Sequence, residues 1–416
     1  MKTSVWQIIL REPYRIFFPL AVLSGITGVG YWFLFGVGIV KNYSAELHSA
    51  IQMQVCMGAF IAGFLMTALP KMTSSVSASR FEFLSQLIFT ISMLAFYLAG
   101  ESLIASLFYG LWLLSLAFFF LKRFKEGRSN NPLIFTAPPV ELIWVPAGIF
   151  FALIGIVYTI LAKQHENLSY FARQLTNQSF VLCVVIGVGS FMGARFTGRF
   201  RTTKKSISNP CEITKQAQSY RREIFFQLTG AGFLFLSFVL EGFRYPQTGY
   251  TLRALVITIF FFASGVLPKW PKTSGLYVWI LWLSFWLFAL GFWGAASHLQ
   301  YRIESLHVSF LGGLGLMTYA VITMVVVTHA GKPERMREPL LILWIILVGL
   351  LTSLGVRLAA VFIAKHYYQL LGFSSVIWVI VALAWLIFAR SYLYRWPDPK
   401  ILEAHHERMK KTLSKS

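Results

Sequence analysis

The chain has 416 residues, of which 56 % are hydrophobic, 17 % aromatic and only 13 % charged, yet it carries a formal net charge of +21. So apolar a balance excludes a disordered chain, and three cysteines (Cys56, Cys183, Cys211) with no CxxC pair exclude a disulfide framework. The positive charge is spread over several short segments with no single patch, which speaks against nucleic acid as partner and for anionic lipid headgroups.

A helix needs about 18 or more apolar residues to cross the hydrocarbon core of a bilayer. About twelve such runs follow one another here: Ile16–Val40, Ala50–Leu69, Phe83–Gly100, Leu103–Leu121, Val140–Ala162 and Gln178–Ala194, then Ile224–Leu240, Thr251–Leu267, Leu276–Ala296, Leu306–Thr328, Pro339–Ile363 and Leu371–Ala389. The first is too long for a signal-peptide core and lacks a small-x-small cleavage site, so it reads as a span. The expected fold class is therefore all-α, a polytopic bundle of about twelve transmembrane helices.

Charge orients the bundle. Every second gap is basic: Lys2, Arg11 and Arg15; Lys71 and Arg80; Lys122, Arg123, Lys125 and Arg128; Arg195 to Arg222; Lys269 and Lys272; Lys332, Arg335 and Arg337; then the tail from Arg390. The opposite gaps hold only Lys41, Lys163, Arg173, Arg244, Arg253, Arg302 and Lys365. The positive-inside rule then places both termini in the cytoplasm, which requires an even number of spans. One integral membrane domain is expected, with two six-span halves (about 1–194 and 223–396), a basic cytoplasmic loop 195–222 and a short tail 397–416. Trp32, Trp144, Trp270, Trp279 and Trp396 stand near span ends, as an interfacial belt requires. Gly189-x-x-x-Gly193 suits close contact between helices in lipid.

Ionisable groups in hydrocarbon are costly, so the few near the spans are candidate functional residues. On the outer side stand His48, His298, His307 and His366, with His165 in a loop; His329 ends the tenth span on the inner side, and His405 and His406 lie in the tail. His307 and His329 are separated by about 33 Å of helix at 1.5 Å per residue and cannot share a metal. At helical spacing His48, Gln52 and Cys56 line one side of the second span. Imidazole suits copper and is the commonest axial ligand of haem iron. Met53, Cys56 and Met57 read as packing residues, and His298 and His366 as solvated interfacial ones. Arg357, taken as the only basic residue within a span, needs an acceptor: a carboxylate such as Glu101, carbonyls, or an anionic ligand group such as a haem propionate. Snorkelling to headgroups is its structural alternative. No P-loop, GxSxG or HExxH motif occurs, so no catalytic motif is recognised.

Two stretches resemble the NnrS family, bacterial membrane proteins associated with haem, copper and the response to nitric oxide. His48 to Thr73, HSAIQMQVCMGAFIAGFLMTALPKMT, is similar to the family's WHAHEM-x-F-G followed by A-x-IAGFLLTAVPNWT. His307 to Lys332, HVSFLGGLGLMTYAVITMVVVTHAGK, resembles HA-x-TVGA-x-G-x-MTL…HTGR. GSFMGARFTGR before the central loop is fainter against GGRVIP-x-FT, and Arg357 in GVRLAA resembles a family Arg of the eleventh span. The departures are specific. The second family histidine falls on Ala50, the following Glu-Met on Ile51 and Gln52, the Arg and Pro of GGRVIP on Phe191 and Ala194, and an Arg after the third span on Glu101.

The resemblance implies haem and/or copper held through His48, His307 and His329, with Arg357 beside the cofactor, in a multi-pass protein of the bacterial inner membrane serving nitrosative stress. The alternative is a secondary transporter of a small solute, with Arg357 holding an anion. The G-x-x-x-D-R-x-G-R pattern of the major facilitator group is missing from Lys71–Glu82. A haem–copper oxidase core is rejected, because the scattered histidines cannot supply its ligand set.

Overall fold

The computed structural model describes residues 5–42, 44–129, 139–161, 166–196, 210–272 and 274–395; these are helical, with no strand among them. Residues 197–209 of the expected central loop and the whole tail, with His165, His405 and His406, lie outside the described residues. Among the described residues, eleven helices are long and apolar enough to cross a membrane. They are α1 (Tyr14–Gly36), α2 (Ala45–Thr73), α3 (Arg80–Leu98), α4 (Ser102–Glu126), α5 (Val140–Leu161), α6 (Asn167–Arg195) and α7 (Gln218–Gly242). After α8 (Pro246–Ala263) come α9 (Leu276–Ser297), α10 (Leu299–His329), α11 (Leu341–Phe362) and α12 (Ala364–Leu393). A short helix, Val5–Arg11, leads into α1.

The expected span Thr251–Leu267 corresponds to α8, which does not reach the apolarity of the other eleven. Pro246, Gln247 and Arg253 dilute its apolar residues. Arg253 therefore does not sit in an outer gap, and Arg357 is not alone. The guanidinium of Arg253 is fully buried, donating to Glu241 Oε2 (2.8 Å) and Ser237 Oγ (3.2 Å) on α7 and to Gln178 Oε1 (3.4 Å) on α6. Tyr170 and Tyr250 donate to the other Glu241 oxygen at 2.5 and 2.8 Å. Burial of an ion among apolar helices is tolerated only with such complete pairing.

Arg15, at the start of α1, donates to the backbone carbonyls of Tyr392, Leu393 and Arg395 at the end of α12 while paired with Glu12. The first and last long helices thus meet at one face of the bundle, as an even number of crossings requires.

Local chemistry explains where the helices start. The turn before α3 closes in a capping box: Ser79 Oγ accepts from the Glu82 amide (3.2 Å), and the Glu82 carboxylate accepts from the Ser79 amide (2.7 Å). The same carboxylate holds the buried Arg123 guanidinium in two hydrogen bonds (2.7 and 3.1 Å), tying α3 to α4. Ser79→Ala removes one half of the box, and its expected cost is about 1 kcal/mol. The check is the thermal unfolding midpoint of the purified protein, which falls.

Three helices form the centre. In α2, α6 and α10, 83, 78 and 67 % of the apolar stretch is buried, whereas no other span exceeds 56 %. These same three carry π-helical turns: Ile51–Cys56 in α2, Leu175–Ser179 and Val185–Gly189 in α6, and Val308–Gly315 in α10. A π turn inserts extra backbone into an α-helix and rotates every side chain after it, and such turns cluster at functional sites. Crossings at the centre are tight. A Cβ on Gly291 of α9 would lie 2.5 Å from the Ser309 amide nitrogen, and one on Gly313 of α10 would lie 2.7 Å from Phe288 backbone.

Candidate functional site at the head of α2 and α10

His48 stands in the first turn of α2, which Ser44 caps by accepting from the Leu47 amide (3.1 Å). The imidazole reaches across to α1, its Nδ1 3.0 Å from the Gly28 carbonyl oxygen and its ring edge-on to Trp32 (5.8 Å between centroids). One turn on, Gln52 Nε2 donates to the Gly25 carbonyl (2.9 Å), and Cys56 Sγ lies 3.1 Å from where a Gly25 Cβ would stand. His48, Gln52 and Cys56 do share the face turned to α1, as their spacing predicts. Gly28 makes this approach feasible: a Cβ there would lie 2.7 Å from Gln52 Nε2 and 2.8 Å from Ile51.

His307 closes the α-helical opening of α10, immediately before its π segment, and its Nδ1 lies 2.7 Å from the Ile303 carbonyl oxygen. A carbonyl oxygen only accepts, so in both histidines the proton belongs on Nδ1 and the Nε2 lone pair is left for a ligand. A second partner that fixes the tautomer is what metal-ligating histidines ordinarily have. Both rings are half-buried.

Arg357 on α11 is buried, only 7 % exposed. Its Nη2 faces Glu304 Oε1 at 3.6 Å, its guanidinium lies 5.9 Å from the Tyr367 ring centre, and its Nη1 is buried with no hydrogen-bond partner among the described residues. The expected partner Glu101 instead stands exposed in the turn between α3 and α4. Arg357 lies within electrostatic range of both histidines, and the histidines lie within range of each other. Residues from α2, α10 and α11, remote in sequence, thus meet at one end of the bundle.

His329 belongs to another cluster at the far end of α10. Its Nδ1 lies 3.5 Å from Glu12 Oε1, its Nε2 3.3 Å from Lys71 Nζ, and its ring packs edge-on to Tyr14 (5.1 Å). With Arg15 on the same carboxylate, this is an ionic clamp joining the ends of α1, α2 and α10. The structure does not bring His329 to His48 and His307. His298 and His366 are exposed, the latter bonded to Gln369 (2.5 Å). Gly193 of the small-residue pair packs against the Phe285 ring, 2.7 Å from where its Cβ would be.

Sequence reasoning missed Glu304 and the π turns. Glu304 had a signal, since it precedes His307 by one helical turn and so shares its face. The π turns have no comparable signature. Among the described residues no group of three or more His, Cys, Asp or Glu side chains could hold a metal.

No curated protein compared with the chain matches it. The model of the family described as NnrS protein matches residues 8–396, nearly the whole length. With that match added to the two histidine-bearing stretches and the all-helical membrane bundle, the chain belongs to the NnrS family.

Proposed function

We propose that this NnrS-family protein binds haem, copper or both through His48 and His307 and contributes to the response to nitric oxide and nitrosative stress from the bacterial inner membrane. The observation that carries the reading is the pair of histidines with Nδ1 engaged by backbone carbonyls, beside a buried Arg357 whose Nη1 has no partner. Two imidazoles with no third His, Cys, Asp or Glu beside them among the described residues fit haem iron better than bare copper, because a porphyrin brings four nitrogens of its own. Haem, when bound, would supply a redox-active iron. The protein's part is to hold and orient. His48 and His307 offer Nε2, Arg357 offers its free Nη1 to a propionate, and Glu304 keeps the guanidinium in place. Trp32 and Tyr367 flank the site with aromatic rings. No acid–base step is assigned to any residue. The face where α1 begins and α12 ends is the cytoplasmic one in this reading, with its basic segments against anionic headgroups.

The test is the visible spectrum of the purified protein together with iron and copper assays. A Soret band, lost or weakened at least tenfold in His307→Ala and His48→Ala and kept in His329→Ala, is the expected result. A colourless, metal-free preparation overturns the reading and returns the transporter alternative.

A further inference from the structure

A hydrogen-bonded clip from α6 crosses the π turn of α2. Asn177 stands in the middle of the first π turn of α6, and Gln54 inside the π turn of α2. Gln54 Nε2 donates to Asn177 Oδ1 (2.6 Å), and Asn177 Nδ2 donates to Ser49 Oγ (3.3 Å), so one carboxamide holds two residues of α2. Gln54 is only 3 % exposed, and its Oε1 accepts from the Tyr97 hydroxyl of α3 at 2.7 Å. Nearer the start of both helices, Arg173 of α6 pairs with Glu46 of α2. Ser49 and Gln54 are five positions apart. In an α-helix, at about 100° per residue, that spacing turns two side chains about 140° from each other, so one short amide cannot reach both. A π turn bonds i to i+5 and inserts one residue, which brings the pair to about 40°. The clip and the π register therefore require each other.

We propose that Asn177 is a positioning residue for His48: by clipping Ser49 to Gln54 it holds the π turn that aims the histidine. The inference rests on the reading of His48 as a cofactor ligand. His48 directly precedes Ser49, at the edge of the clip. On a regular α-helix Cys56 would stand about 80° round from His48, and the inserted residue reduces this to about 20°. His48, Gln52 and Cys56 are thereby aligned along α1. In that alignment His48 Nδ1 meets the Gly28 carbonyl while Gln52 Nε2 meets the Gly25 carbonyl. A π turn is a rare form of helix, and loss of the clip lets α2 return to the regular one. The segment before the turn then rotates by about 100° against the segment after it. The deeper part of α2 is held by packing on all sides, so the end that carries His48 is the end that moves. His48 then leaves the Gly28 carbonyl, and its Nε2 turns away from the site.

Hydrogen exchange at imidazole C2, followed by mass spectrometry on the full-length protein in lipid nanodiscs, reads each histidine separately and needs no bound cofactor. Asn177→Leu is expected to speed exchange at His48 at least fivefold, while His329 at the far end of α10 stays within twofold. Gln54→Met cuts the same clip from α2 and is expected to act in the same direction, and it carries the test if Asn177→Leu does not fold. Ser179→Ala removes a hydrogen bond to the Leu175 carbonyl (2.6 Å) within the same π turn of α6 but leaves the clip intact. It is expected to leave His48 unchanged, which separates positioning from a general loosening of α6. The proposal is overturned if the folded clip variants leave His48 within twofold of the unaltered protein, if His48 and His329 speed up together, or if Ser179→Ala matches Asn177→Leu. A colourless preparation that still shows the His48 effect overturns the haem reading and leaves Asn177 as the residue that sets His48. A Soret band with no His48 effect keeps the haem reading and ends this one.

Discussion

Arg253→Leu is expected to destabilise the protein by about 3–5 kcal/mol, the range found when one partner of a buried ion pair is removed. The guanidinium is fully buried and reaches Glu241, Ser237 and Gln178 from one place on α8. Its loss leaves the Glu241 carboxylate, only 4 % exposed, with two phenolic donors and no counter-charge. Adding Glu241→Gln removes the charge while keeping an oxygen for Tyr170 and Tyr250, so the double variant is expected to recover more than half of the loss. Cys56 and Cys183 are free and buried, so in a Cys211→Ser background a thiol-reactive dye reads unfolding directly. Equal loss in the single and double variants would remove charge burial as the cause.

Gly291→Ala is expected to cost about 3 kcal/mol, the upper end of the overpacking range, since the added methyl meets backbone that cannot rotate aside. The position faces Ser305 and Ser309 of α10, the turns on either side of His307, so separating α9 from α10 moves the histidine as well. Thermal stability and, where the protein carries haem, the Soret band are expected to fall together. Gly355→Ala is the control on α11: nothing lies within 4 Å of its Cβ, and an alanine there is expected to leave stability unchanged or raise it by up to about 1 kcal/mol. A Gly291→Ala protein as stable as that control would show that α9 and α10 can part at little cost.

Much of the architecture was legible because hydropathy is a local property. Eleven of the expected spans correspond to helices whose ends differ from the apolar runs mainly by continuing into polar turns, as α4 does past Lys122 and α7 does on both sides. The eighth was legible as an apolar run but not as the carrier of a buried cation. Arg253 reads as an outer-gap charge until Glu241, a dozen positions earlier, folds back against it. His48 and His307 stood out because an imidazole near hydrocarbon is costly and useful, and Arg357 for the same reason. Its partner was not legible. Glu101, the partner expected, and Glu304, which went unnoticed, both stand in gaps between the expected spans, and only packing decides which one α11 faces.

The sequence by itself determined the solvent of this protein, its helical class and the chemistry it can offer, because lipid demands long apolar helices and tolerates few polar groups. It also separated His307 from His329, since a helix has a fixed rise. Tertiary structure alone decided that Glu304 is the carboxylate that faces Arg357, that His329 joins Glu12 and Lys71 in a polar clamp, and that the π turns fall in the three most buried helices. Those are outcomes of contacts between residues far apart in the chain. Periodicity along one helix carries no information about which face of another helix it will meet.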